Sequence, residues 1–120
     1  MGMTERDYKA LKKVLLKQED LSSAVKEFKI ASPREMGTTH KMVRRGLVGT
    51  VSDIFELTKQ MSQDTKDKLP LNNDIIKQFR NTASHRYDII DDLLAFACTS
   101  HCIDKALTKT IKDLIDNYAL

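Results

Sequence analysis

The sequence predicts an all-α fold, an up-and-down bundle of five or six helices, and three observations predict it. Apolar residues recur at helical spacing along nearly the whole chain. No stretch alternates apolar and polar residues as a half-buried strand would. Helix-start chemistry recurs at Thr4, Ser32 and Asn72-Asn73. At 120 residues the chain is expected to form one domain, 1–120, with a modest core.

Thr4 caps a first helix, with Asp7 at the capping-box position. Tyr8, Leu11, Val14, Leu15 and Gln18 make its inner stripe, continued by Leu21, Ala24, Val25 and Phe28. Either Ser22-Ser23 starts a second helix or one bent helix runs over about 5–29. Ser32-Pro33-Arg34-Glu35 opens the next helix with a cap, a first-turn proline and a glutamate reaching back. That helix is expected to reach about Met61, burying Val43, Leu47, Val51, Ile54 and Met61. Gly37, Gly46 and Gly49 each cost roughly 1 kcal/mol there relative to alanine. Gly46 and Gly49 mark either a close helix approach or a bend.

Ser62 to Lys68 reads as a short helical turn stopped by Leu69-Pro70. Asn72-Asn73 cap a helix from about Asn73 to Tyr87, or on to Phe96, and Asp91-Asp92 suit a fresh start. A last helix carries Ile103, Leu107, Ile111, Leu114 and Tyr118.

Hydrophobic residues are 41% and charged residues 31%, ordinary for a soluble globular chain. No apolar run approaches the roughly 20 residues of a membrane span, and the polar N-terminus shows no signal pattern. The expected location is cytoplasmic, with no membrane partner. A net charge of +3 is too mild to demand nucleic acid by itself. The denser run His40, Lys41, Arg44, Arg45 is either a solvated helix face or a phosphate-binding one. Cys98 and Cys102, four apart on a helix, place their Cβ atoms about 5–6 Å apart. A disulfide wants about 3.8 Å, so reduced thiols are expected. His101 between them does not complete a zinc pattern, so no metal and no cofactor are expected.

The chemistry concentrates in Phe79-Arg80-Asn81-Thr82-Ala83-Ser84-His85-Arg86-Tyr87-Asp88. On a continuous helix Arg80, Ser84 and Tyr87 would form one stripe and Asn81, His85 and Asp88 the next. Phe79, Ala83 and Ile90 would face the core. An imidazole titrates near neutrality, so His85 can serve as base or acid. Arg80 can offer a fork of donors to phosphate oxygens. Asn81 can bond a phosphate or hold His85 in one tautomer, and Ser84 and Arg86 can add substrate contacts. Metal-free RNA cleavage needs both a base and an acid. One copy of the set lacks the second proton-transfer group, and a second copy across a twofold axis would supply it.

The spacing Arg80, four residues, His85, one residue, Tyr87 resembles the HEPN superfamily (higher eukaryotes and prokaryotes nucleotide-binding). Within it the nearest likeness is to HepT-type toxins of toxin–antitoxin pairs. The order of a long helix with Phe55 to Ser62, a short helix from Lys66 to Pro70 and a motif helix from Asp74 to Tyr87 is similar as well. Two positions depart from that group: Arg86 stands where glycine is common, and of its Gly-Glu-Ala run only Glu56 carries over. The resemblance implies a homodimeric, metal-independent endoribonuclease acting on RNA. Arg80, Asn81 and His85 would be catalytic, and a minimal nucleotidyltransferase antitoxin would be the neutralising partner. It also implies Tyr87 as the acceptor of an AMP group, against which stands a tyrosine packed at a helix end with its hydroxyl in water. Ser84-His85-Arg86-Tyr87-Asp88 equally resembles small helical subunits that pair with such transferases. That likeness implies a non-catalytic nucleotide- or substrate-binding subunit instead. A helical adaptor without nucleotide chemistry is the third expectation.

Overall fold

The computed structural model describes residues 3–83 and 90–119. They form seven helices: α1 (Glu5–Glu27), α2 (Pro33–Thr38), α3 (Lys41–Lys59), α4 (Gln63–Lys68), α5 (Asn73–Ala83), α6 (Asp92–Cys102) and α7 (Lys105–Ala119). The chain is an all-α bundle. Helix α1 packs on α3 and α7, α6 receives α2, α3 and α5, and the core lies between. Among the described residues no helix is long and apolar enough to cross a membrane.

Helix α1 is one element, and Ser22-Ser23 does not interrupt it. Its start is the expected capping box: Thr4 accepts from the Asp7 amide and Asp7 reaches back to the Thr4 amide. Its end is a Schellman turn. The Ile30 amide donates to the Val25 carbonyl at 3.0 Å and the Lys29 amide to the Lys26 carbonyl at 3.3 Å. Lys29 takes the left-handed position, φ 54°, that glycine usually fills. Ile30, beyond the turn, is buried. Phe28, expected in the core, is 44% exposed because it is the helix's C-cap and projects past the packed turn.

The single helix expected from Pro33 to Met61 is two. Helix α2 ends at Thr38, Thr39 is extended, and the His40 imidazole caps α3 by accepting from the Met42 amide at 3.1 Å. Gly-Thr-Thr is a weak helical run, and tertiary packing exploits the break. A Cβ on Gly37 would meet the Asp92 carboxylate, so a larger residue there would have to displace that side chain from its place between α2 and α6. Gly46, by contrast, faces open space, and close approach does not explain it. The apolar stripe of α3 is as expected at Leu47, Val51 and Ile54, which are buried and joined by Val48 and Phe55, while Val43, near the helix start, is only half-buried. Leu107 and Ile111 bring α7 into the same core, while Ile103 belongs to the end of α6 as its C-cap. Tyr118 stacks on Tyr8 with ring centroids 4.7 Å apart, pinning the end of α7 to the start of α1.

A continuous helix from Asn73 to Phe96 does not form. Asp91 is extended and caps α6, its carboxylate accepting from the Leu94 amide at 2.7 Å.

Both cysteines are free, buried thiols on α6. Burial pushes the Cys98 thiol up to about 12. Burial, with Cys98 nearby, also raises Cys102 well above the ordinary thiol value. Neither is a thiolate at neutral pH, and the thiolate is the nucleophile. Native protein should therefore resist alkylation by iodoacetamide while denatured protein takes up two equivalents, one for each free cysteine. Rapid labelling of the native state, read by intact mass, would contradict this packing.

Candidate functional site

Helix α5 carries the first two residues of the motif, and several contacts fix its position. At its start the Asn72 side chain accepts from the Ile75 amide at 3.1 Å. The Asn72 amide in turn donates to Nε2 of His101 at 3.1 Å. That contact requires an unprotonated Nε2. Burial of His101 lowers its pKa below the ordinary value, with Asp104 opposing, and so favours the neutral ring. His101 is thus an acceptor tying the end of α6 to the start of α5.

Further along, Phe79 lies edge-on to Phe55, with centroids 5.2 Å apart and planes at 84°. Both rings are buried. This contact sets the rotation of α5 about its axis and brings the next residue back towards α3. Arg80 Nη2 donates to the Phe55 carbonyl at 3.1 Å. Arg80 is half-buried, and its Nε has no hydrogen-bond partner among the described residues.

Arg80 and Asn81 diverge from there. Arg80 lines a cleft of about 370 Å³ between α3, α4 and the start of α5, together with Lys59, Gln63, Lys66 and Asn73. Asn81 is exposed and lines a separate cleft of about 500 Å³ between α5 and α6, with Gln78, Thr82, Asp91 and Leu93. The two side chains are one residue apart on the helix, which swings them by about 100°. Ser84, His85, Arg86 and Tyr87 lie outside the described residues. Of the expected core-facing positions around the motif, Phe79 and Ile90 are buried.

The basic run before α3 resolves into separate roles. His40 is a helix cap, while Lys41 and Arg45 are exposed. Arg44 donates to the Ile90 carbonyl and to the Asp92 carboxylate at 3.1 Å. Its guanidinium thereby holds the segment that enters α6.

Sequence reasoning missed Lys59 and Lys66, two ordinary-looking surface lysines that the fold gathers with Arg80. It also missed the depth of Asp7, which is 1% exposed. Beyond its capping role, Asp7 accepts from the Ser62 amide at 2.9 Å and from the Ser62 and Thr65 hydroxyls. Only the polar run Ser62 to Thr65 hinted at such a partner.

No protein-family model, curated protein or solved structure matches the chain.

Proposed function

We propose that the protein is a HEPN-type endoribonuclease, active as a homodimer without a metal ion and held in check by a nucleotidyltransferase. The observation that carries this reading is the Arg80-x4-His85-x-Tyr87 spacing on an all-α chain, in which α5 delivers Arg80 to a cation-rich cleft. In the reaction the 2′-hydroxyl oxygen attacks the adjacent phosphorus and the 5′-oxygen leaves. A base removes the 2′ proton and an acid protonates the leaving oxygen, giving a 2′,3′-cyclic phosphate and a 5′-hydroxyl. His85 of one protomer and of its partner serve as base and acid. Arg80 stabilises charge on the phosphoryl oxygens as it develops, and Asn81 orients an imidazole. Cleavage of RNA by the wild-type chain beside His85→Ala tests it.

A second reading is favoured by Ser84-His85-Arg86-Tyr87-Asp88, a run like that of non-catalytic subunits of minimal nucleotidyltransferases. It predicts nucleotide binding without cleavage in the same assay.

The regulatory part of the reading concerns Tyr87. An AMP group there would add a charged phosphodiester within the motif and compete with RNA phosphate. Co-expression with a minimal nucleotidyltransferase antitoxin should add the mass of AMP to the peptide containing Tyr87. Suppressed toxicity with Tyr87 unmodified would reduce the partner's role to binding.

A further inference from the structure

We infer that the cleft between α3, α4 and α5 is a phosphodiester subsite, in which Lys59, Lys66 and Arg80 hold successive backbone phosphates of single-stranded RNA. The inference rests on the ribonuclease reading for its ligand and on the following geometry for its place.

Two cations are seated on successive turns of one stripe of α3. Arg80 Nη2 is 3.1 Å from the Phe55 carbonyl oxygen, and Lys66 Nζ is 3.5 Å from the Lys59 carbonyl oxygen. Residues 55 and 59 are four apart, so their carbonyls are separated by about 6 Å along the axis. The guanidinium and the ammonium are therefore spaced by roughly one helical turn, comparable to one nucleotide step of a strand. The Lys66 ammonium sits at the last carbonyl of α3, where the helix dipole favours positive charge. Neither is exhausted by these contacts, because a guanidinium and an ammonium have donors to spare.

The rest of the lining agrees. Lys59 adds a third cation, exposed at the rim. The one carboxylate among the lining residues, Asp67, accepts from Gln63 Nε2 at 2.7 Å. Three cations face one acid, so the cleft favours an anion. Leu69, Leu71 and Ile76 supply apolar wall against which a sugar or base edge can lie. Arg80 belongs both to this cleft and to the motif, so a strand filling the cleft touches a motif residue. Lys59 and Lys66 are thus positioning residues that touch the strand away from the bond that breaks.

The test uses the full chain and a fluorescent 2′-O-methyl oligonucleotide, which lacks the attacking hydroxyl and cannot be cleaved. Anisotropy is measured over a range of salt for wild type, for Lys59→Gln/Lys66→Gln, and for Lys105→Gln/Lys112→Gln on α7 as a charge-matched control. Thermal melting confirms that each variant is folded. The cleft pair should bind about tenfold more weakly. Its salt slope should fall by about 1.4, at roughly 0.7 for each of the two phosphates that the lysines no longer neutralise. The control should match wild type. A cleft pair no weaker than the control would overturn the proposal, as would an acidic peptide of equal charge competing as strongly as the oligonucleotide. The two readings fail separately. Wild-type cleavage with full affinity in the cleft pair removes the subsite and leaves the ribonuclease. Weakened binding in the cleft pair with no cleavage by wild type leaves the subsite and removes the ribonuclease.

Discussion

Arg80→Lys should lose most RNA cleavage although it keeps the positive charge. A lysine presents a point charge and cannot offer a planar fork to two phosphate oxygens. Loss of one such donor to a transition state typically costs about 3–4 kcal/mol, or roughly 100- to 1000-fold in rate. The fold should survive, because a lysine ammonium can still donate to the Phe55 carbonyl that Arg80 contacts at 3.1 Å. The Phe55–Phe79 contact that orients α5 is also untouched. Single-turnover rates at saturating enzyme isolate the chemical step from any change in affinity. A variant cleaving within a few-fold of wild type would remove Arg80 from the reaction.

The largest effect on stability is expected at Asp7. Its carboxylate joins the start of α1 to the start of α4, accepting from the Thr4 amide and from the amide and hydroxyl of Ser62 and the hydroxyl of Thr65. Asp7→Ala would strand these donors in a buried site, at about 3 kcal/mol. For a chain of this size that lowers Tm by on the order of 10 °C. Acid should act on the same group. Burial alone would raise the Asp7 pKa, but hydrogen bonds from Ser62, Thr65 and Thr4 outweigh it and lower it from 3.8 to about 2. The folded pKa is below the unfolded one, so the stabilisation is complete above about pH 4 and is lost as pH falls through 2. It amounts to roughly 2 kcal/mol. Asp7→Asn should therefore be less stable at neutral pH and flatter between pH 4 and 2. Equal acid sensitivity in wild type and Asp7→Asn, measured by urea unfolding across that range, would show that another group governs it.

Much of the fold was legible because local chemistry and burial agree. The Thr4–Asp7 box starts α1, Ser32 and Pro33 start α2, and Asp91 starts α6 as its sequence suggested. The stripe through Leu47, Val51 and Ile54 is buried as its spacing required. The break at Thr39-His40 was not legible. Histidine is not a usual cap, and the neighbour of Gly37, the Asp92 carboxylate, lies far along the chain. The candidate site was legible in part for the same reason. The residue types of the motif can be read from the sequence. The anchor of Arg80 on a carbonyl of α3, and the company of Lys59 and Lys66, depend on how three helices cross. Arg80 and Asn81 fall on neighbouring stripes of the helix, and they line different clefts because α6 packs against only one side of α5.

The central claim is that the Arg80-x4-His85-x-Tyr87 motif breaks RNA through His85. The most direct measurement is cleavage of a defined RNA by purified wild type and His85→Ala, both confirmed folded by circular dichroism, with EDTA present and the product ends analysed. Wild type should cleave in EDTA and leave fragments ending in 2′,3′-cyclic phosphate and 5′-hydroxyl, and His85→Ala should not cleave. Cleavage at full rate by His85→Ala, or an activity that EDTA abolishes, would contradict it.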